Sequence, residues 1–180
     1  MDKLCAILTK HNIPVDRWGM GSAKTYGHLK KEVEEGETVL EESPTGLRRL
    51  TTVLYVDVLH TTAEGKTLRL YEDHQRFTDG RVRRRSLKGS IAEKLKRGEA
   101  PTRGAVLRAL HEELGVKAVS SAEHRETREV EEESASYPGL WAVFTEHLWQ
   151  VTLPDAEYRP EGYEEVQPDK TTRFLWREAL

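Results

Sequence analysis

Apolar side chains along this chain cluster or alternate in ways typical of β-strands. A run at residues 50–59 is rich in β-branched and aromatic residues, and a turn at 63–65 separates it from a second strand at 66–72. Residues 76–85 alternate around Asp79-Gly80, which is a common hairpin sequence. The same patterns predict further strands at 116–119, 141–153 and 171–176.

One strong amphipathic helix interrupts these strands. Val106, Leu110 and Leu114 recur at every fourth residue, the spacing of the buried face of a helix. Pro101 in the first turn and Gly115 after the last turn are typical of its two ends. Shorter helices are predicted at 4–8 and 24–35.

Strands on both sides of one strong helix predict an α+β fold with a mixed β-sheet and helices packed on its faces. The length of 180 residues is enough to bury a substantial core. We expect residues 1–45 to form an N-terminal helical extension and residues 46–180 to form the main domain.

The composition indicates a polar globular protein without a membrane partner. Hydrophobic residues make up 37% of the chain and charged residues 33%, and no apolar run approaches the roughly 18 residues that cross a bilayer. The N-terminal segment is too charged for a secretory signal, and the single cysteine, Cys5, excludes a disulfide framework. We therefore expect a cytoplasmic protein.

Charge is distributed unevenly along the sequence. Residues 76–108 hold eleven Lys and Arg against three Asp and Glu, whereas residues 109–180 hold seven against sixteen. A basic segment beside many carboxylates suits a polyanionic ligand held through a metal ion, although two solvated faces would give the same count. Within the basic run at 81–85, Arg83 and Arg85 are the candidate substrate-binding residues, because guanidinium groups bind phosphates bidentately.

Residues 108–116, Arg-Ala-Leu-His-Glu-Glu-Leu-Gly-Val, carry the clearest chemical signal. Glu112 and Glu113 lie near the end of the strong helix, where two fixed carboxylates can hold a hard divalent cation such as Mg²⁺. The segment resembles the helical half of the Nudix box, G-x5-E-x7-R-E-U-x-E-E-x-G-U, in which U is aliphatic. The matching positions are Arg108, Leu110, Glu112, Glu113, Gly115 and Val116.

The resemblance implies a Nudix-like α/β/α sandwich and hydrolysis of a nucleoside diphosphate linked to another moiety, with Mg²⁺ or Mn²⁺ as cofactor. It implies that Glu112 and Glu113 bind the metal and act in catalysis, and that Arg108 orients these glutamates. Glu99, in a Gly-Glu-Ala-Pro lead-in similar to that of the family, is the third expected metal ligand. Since many members of the family are dimers, a homodimer is also an expectation.

Three features depart from the family pattern. Ala109 stands where the family has its first helical glutamate, four residues before Glu113 and expected on the same face. The segment 92–95 replaces a glycine-rich turn, and one extra residue separates Glu99 from Arg108. These departures support a second interpretation, a catalytically inactive domain that binds a nucleotide or a protein partner. A third and weaker interpretation, nucleic-acid binding through the basic run, lacks any accompanying RNA-binding signature.

Residues 154–170 are predicted to form a long loop of the kind that often carries specificity. By resemblance, a further carboxylate of the site comes from a late strand or loop. The sequence leaves four candidates open: Glu146, Glu161, Glu164 and Glu165.

Overall fold

The structure, a computed structural model, describes residues 2–180, so that Met1 of the predicted N-terminal extension lies outside the described residues. Within them the chain forms three α-helices, a short 3-10 helix at Val15–Arg17 and nine strands. The helices are α1 (Lys3–Lys10), α2 (Tyr26–Glu34) and α3 (Arg103–Leu114). The strands are β1 (Val39–Ser43), β2 (Gly46–Thr61), β3 (Thr67–Phe77), β4 (Val82–Arg83), β5 (Ile91–Leu95), β6 (Ser121–Glu133), β7 (Trp141–Thr152), β8 (Tyr163–Val166) and β9 (Lys170–Glu178).

All nine strands belong to one sheet. Its main path runs β6-β7-β2-β3-β9-β8, while β1 and β5 pair with β2 and β4 pairs with β3. The central strand β3 pairs antiparallel with β2, β4 and β9. The α+β class and the large mixed sheet expected from the sequence are thereby confirmed.

The chain divides into two compact units. The first consists of the residues up to 53 together with 94–99 and 128–146. Its core packs α1 and α2 around six buried side chains: Leu8, Trp18, Leu29, Leu47, Tyr137 and Leu140. The predicted domain boundary near residue 45 stays a prediction.

None of the three helices in the described part of the chain is long and apolar enough to cross a membrane.

The second unit, residues 54–93, 100–127 and 147–180, contains the whole of α3, β3, β4, β8 and β9. The predicted stripe of Val106, Leu110 and Leu114 is buried, which confirms the apolar face of this helix. The helix begins at Arg103 because the Thr102 side chain accepts a hydrogen bond from a backbone N–H of the first turn. It ends at Gly115, whose φ of 68° is the left-handed conformation that glycine adopts readily.

Several elements differ from the sequence-based prediction. The predicted strand at 116–119 is wrong, since that segment has no regular structure and β6 begins at Ser121. β6 is mostly exposed and rich in charged residues, so it lacks the apolar alternation that identifies a strand. The predicted loop at 154–170 is also partly wrong, because it contains the short strand β8.

Gly162 determines how closely the start of β8 approaches β9. Its φ is +85°, and a Cβ atom at this position would lie 2.0 Å from the carbonyl oxygen of Phe174. No side chain fits there unless one of the two strands moves. The position of β8, which carries Glu165, therefore depends on this glycine.

We predict that Gly162→Ala lowers the free energy of unfolding by about 2–4 kcal/mol, because it adds a steric clash to the strain of a positive φ. Gly80→Ala is the matched control, since Gly80 has a φ of +88° and a Cβ atom added there would have no other atom within 4 Å. The control should lose only about 1–2 kcal/mol. Urea denaturation measures both losses, and equal losses would contradict a role for the close approach.

Candidate active site

A cleft of about 270 Å³ in the second unit gathers carboxylates from several elements. Glu112 and Glu113 reach it from the end of α3, together with Arg85, one of the two predicted substrate-binding residues. The acidic residues that line it are Glu72, Glu93, Glu112, Glu113 and Glu165, and the basic residues are Arg85 and Lys170. We call this the carboxylate cleft. Five carboxylates against two cations make it an environment in which a further negative charge is unfavourable.

Glu113 experiences this environment most strongly. Burial, followed by the charges of Glu165 and Glu93, raises the pKa of its carboxyl to about 8, although Arg85 acts in the opposite direction. A pKa near neutrality lets one side chain both accept and donate a proton at working pH. Glu113 is thus the residue of the cleft that is best suited to acid–base chemistry.

Of the four later carboxylates that the sequence left open, Glu165 on β8 is the one that lines the cleft. Burial raises its pKa, against the charge of Lys170, and the amide of Gln167 donates a hydrogen bond of 3.0 Å to its Oε1. The other three candidates do not line the cleft. Glu164 and Glu161 are exposed, and Glu146 in the first unit forms an ion pair with Arg128.

Glu72 and Arg85 form a bidentate pair at the side of the cleft. Arg85 donates from Nε and Nη2 to the two carboxylate oxygens of Glu72, at 2.8 and 2.9 Å. The Glu72 side chain is only 3% exposed, so the pair fixes the guanidinium in place. Sequence reasoning missed Glu72, because one inward-facing residue of an alternating strand carries no distinguishing signal.

The other arginines of the basic run bind different partners. Arg83 donates from Nε to Gln75 Oε1 at 2.9 Å and does not line the carboxylate cleft, so its predicted role in substrate binding stays a prediction. The remaining two arginines form ion pairs with aspartates, Arg81 with Asp79 and Arg84 with Asp73. Much of the positive charge of this hairpin is therefore offset locally.

Neither Glu99 nor Arg108 lines the carboxylate cleft. Glu99 belongs to the first unit, where its carboxylate accepts a hydrogen bond of 2.9 Å from the backbone N–H of Lys96. Arg108 is exposed on α3, and its Nε lies 3.8 Å from Glu112 Oε1, the geometry of a surface i,i+4 pair. Their predicted roles as a metal ligand and as an orienting residue stay predictions.

The first unit contains a larger cleft, of about 490 Å³, which Glu99 lines. Its charged residues include the ion-paired Arg48 and Glu41, beside threonines and aliphatic side chains. Volume alone does not identify a catalytic site. The smaller cleft differs from it in that Glu112, Glu113 and three further carboxylates line it together.

Ala109 is completely buried in the second unit. It lies four residues before Glu113 in α3, and residues at this spacing share a face of a helix. Its own side chain does not line the carboxylate cleft. A glutamate at this position would be removed from water, which is costly unless the carboxylate finds a partner.

The segment that replaces the glycine-rich turn of the family is part of strand β5. Glu93 from this segment lines the carboxylate cleft. Lys94 belongs to the first unit and forms an ion pair of 3.0 Å with the buried Glu32. This segment therefore contributes a carboxylate to the cleft where the family has a flexible backbone.

The carboxylate cleft suits a magnesium or manganese ion in its donor chemistry. Its acidic ligands are oxygens, which both ions prefer, and a dication would relieve the repulsion that raises the pKa of Glu113. Among residues 2–180, however, no three His, Cys, Asp or Glu side chains converge closely enough to hold a metal ion by themselves. The donors are of the right kind, and further oxygens would have to come from a ligand.

No family model matches this chain, and no curated protein matches it. Among solved structures it is similar to an Ap4A hydrolase of C. elegans, with 13% identity, a TM-score of 0.38, and coverage of 72% of this chain and 80% of the other. A binary complex of a C. elegans Ap4A hydrolase gives 15% identity, a TM-score of 0.39, and coverage of 71% and 80%. The Nudix hydrolase RenU of M. smegmatis gives 18% identity, a TM-score of 0.32, and coverage of 64% and 69%. The solved structures that the chain is similar to are thus Nudix hydrolases, and at these values they say nothing about its catalytic residues.

We predict that Glu113→Gln stabilises the fold at neutral pH. The pKa of Glu113 is about 8 in the folded state against an ordinary value of 4.5, so the stability that the protonated carboxyl contributes is fully present below about pH 4.5 and is lost as pH rises towards 8. Glutamine does not ionise, and the variant should unfold with a free energy about 2 kcal/mol higher than the parent at pH 7.5.

At pH 4.5 the two proteins should be nearly equal in stability. Glu112→Gln is the control, because Glu112 is a neighbouring but exposed carboxylate, and it should change stability by less than about 0.5 kcal/mol at both pH values. Denaturant titrations at the two pH values give the comparison. A Glu113→Gln effect that did not depend on pH would show that charge burial is not its cause.

Proposed function

We propose that this protein is a Nudix-like hydrolase that cleaves a nucleoside diphosphate linked to another moiety, with Mg²⁺ or Mn²⁺, in the carboxylate cleft. One observation carries the proposal. Glu113, from the segment that resembles the Nudix box, lies beside Glu165 and Glu93 in a cleft that raises its pKa to about 8. A diphosphate with its metal ion would bring to this site the positive charge and the additional oxygens that its carboxylates need.

The residues of the cleft divide into two chemical groups. Glu112 and Glu113 would hold the metal ion, with Glu165 or Glu93 nearby as a further oxygen donor. When bound, the ion would polarise a phosphoryl oxygen and lower the pKa of an attacking water. Glu165 would accept the proton from that water, because burial raises the pKa of its carboxyl.

The cations would bind the substrate's phosphates. Arg85 uses Nε and Nη2 to bind Glu72, which leaves Nη1 and one further N–H as donors for a phosphate oxygen. Lys170 lines the same cleft and adds a mobile positive charge. Catalysis in such a site is mainly positioning and charge stabilisation, since phosphoryl transfer needs little covalent help from the protein.

A second candidate function is a domain that binds a nucleotide without hydrolysing it. Two observations favour this alternative. No three metal-binding side chains converge among residues 2–180, and the buried Ala109 leaves the helix without the first glutamate of the family pattern. In this case the cleft would still bind a metal–diphosphate complex, but no side chain would deprotonate a water molecule for attack on the phosphorus.

We predict that Mg²⁺ binds weakly alone and at least about tenfold more tightly with a nucleoside diphosphate present, because the diphosphate supplies oxygens that the protein lacks. Titration calorimetry with and without the diphosphate measures the coupling. Glu113→Gln should reduce it, whereas Glu164→Gln, on the exposed side of β8, should leave it unchanged. Equal Mg²⁺ affinity in both conditions would contradict a shared site for metal and diphosphate.

Hydrolysis of a panel of nucleoside diphosphate derivatives with Mg²⁺ or Mn²⁺ tests the reaction itself. Glu113→Gln should lower kcat by at least about a hundredfold, because it removes a carboxylate that holds the metal ion, and Glu165→Gln by about tenfold or more, as expected for a group that accepts a proton. Glu164→Gln is the matched control and should retain the parent rate, because this neighbour on β8 does not line the cleft.

The stability of each variant separates loss of chemistry from loss of fold. Glu113→Gln should be at least as stable as the parent at neutral pH, so unfolding would not explain its inactivity. A parent protein that binds nucleotides but hydrolyses none of the panel would overturn the hydrolase proposal and support the binding domain.

A further inference from the structure

A second cleft in the same unit has the opposite charge. Its volume is about 160 Å³, and it is lined by Arg69, Tyr71, Glu72, Arg85, Ser86, Leu87, Gly89 and Arg177. We call it the arginine cleft. It shares Glu72 and Arg85 with the carboxylate cleft, so the ion pair of these two residues forms a wall common to both.

Two arginines of this cleft face each other across neighbouring strands. Arg69 on β3 and Arg177 on β9 are direct partners in the antiparallel register. Like charges at directly opposite positions destabilise a sheet unless something neutralises them. Asp57 neutralises Arg69, accepting from its Nε and Nη2 at 2.9 and 2.6 Å.

Arg177 has no such neutralising partner. Its guanidinium lies 5.0 Å from the centre of the Tyr71 ring, and within residues 2–180 no carboxylate lies at ion-pair distance from it. Stacking on an aromatic ring orients a guanidinium group but does not offset its charge. The arginine cleft therefore holds an excess of positive charge that an anion would balance.

Gly89 and Ser90 anchor the C-terminal end of the segment that lines the cleft. Gly89 lies so close to β2 that a Cβ atom would be 3.0 Å from the backbone nitrogen of Val56. Ser90, directly after it, donates from its backbone N–H to Val56 and from Oγ to the carbonyl of Leu70, at 2.8 and 2.6 Å. Ser86, which also lines the cleft, is exposed, and its hydroxyl can donate to an anion.

The size and lining of the cleft suit a small anion. The cleft has a volume of about 160 Å³ and is lined by three arginines, which is room for a small oxyanion such as a phosphate group. Guanidinium groups bind phosphate oxygens bidentately, and Arg85 and Arg177 both retain N–H donors for this purpose.

We propose that the arginine cleft is a phosphate-binding subsite, with Arg177 and Arg85 as its ligands and Arg69 and Ser86 in support. Its position beside the carboxylate cleft assigns it to a phosphate of the same ligand. This assignment rests on the proposed function and narrows it: the substrate class is nucleotide derivatives that carry a phosphate group in addition to the diphosphate that is cleaved.

Binding of inorganic phosphate tests the subsite without any catalysis. We use isothermal titration at low ionic strength with EDTA, so that no metal ion takes part. The parent should bind one phosphate, and Arg177→Gln should weaken binding by about tenfold, the usual effect of losing one charge-assisted hydrogen bond. Arg76→Gln is the matched control, since Arg76 is an exposed arginine of β3 that lines neither cleft.

Glu164→Gln should bind inorganic phosphate as the parent does, because Glu164 is exposed and lines neither cleft. Absence of phosphate binding by the parent, or equal binding by the parent and Arg177→Gln, would overturn the subsite. Thermal unfolding of Arg177→Gln with a midpoint close to that of Arg76→Gln would show that both variants are folded.

A second experiment tests whether the subsite binds a phosphate group of the substrate. With Mg²⁺, Arg177→Gln should raise KM about tenfold for derivatives with the additional phosphate and leave KM unchanged for those without it. Phosphate binding that depends on Arg177, in a protein that hydrolyses nothing, would support the subsite and overturn the proposed function. Hydrolysis with no effect of Arg177→Gln on phosphate binding or KM would support the function and overturn the subsite.

Discussion

The pairing of Glu72 with Arg85 is the interaction on which the candidate site depends. Glu72 is buried on the central strand β3, and a buried carboxylate is tolerated only when it is paired and hydrogen-bonded. Arg85 provides both bonds and is thereby fixed between an acidic cleft and a basic one. Without the pair, the two clefts would lose their common wall and Glu72 would add one more uncompensated charge beside Glu113.

The carboxylate cleft also depends on elements that bring acidic residues together from distant parts of the sequence. The end of α3 contributes Glu112 and Glu113, and the short strand β8 contributes Glu165. Packing of the apolar face of α3 fixes the first two, while the close approach of Gly162 to β9 fixes β8. This packing holds the carboxylates together despite their mutual repulsion. Burial, followed by the charges of Glu165 and Glu93, raises the pKa of Glu113.

The helix α3 contributes both to the buried core, through residues such as Ala109, and to the carboxylate cleft, through Glu112 and Glu113. The side chain of Ala109 is completely buried. A carboxylate at this position would be removed from water and would need a partner. Besides Glu112 and Glu113 of α3, the acidic residues of the cleft come from β3, β5 and β8, through Glu72, Glu93 and Glu165. A comparison of sequence positions alone would count the helix as lacking a carboxylate, while the cleft as a whole contains five.

The sequence by itself determined the features that depend on local periodicity and capping. The apolar stripe and the ends of α3, the strand β2, and the hairpin at Asp79-Gly80 were all predictable, because each follows from neighbouring residues. Glu112 and Glu113 were predictable as a pair for the same reason. The polar strand β6 and the short strand β8 were not, since neither has the apolar alternation of a strand.

The tertiary structure alone decided which distant side chains meet. It placed Glu165, and not Glu146, Glu161 or Glu164, in the carboxylate cleft, and it added Glu72, which no sequence pattern distinguishes. It also buried Ala109 and set Arg69 opposite Arg177. These outcomes depend on strand register and on the packing of a helix against other elements. Both are set by contacts between residues far apart in the chain, which local patterns in the sequence do not specify.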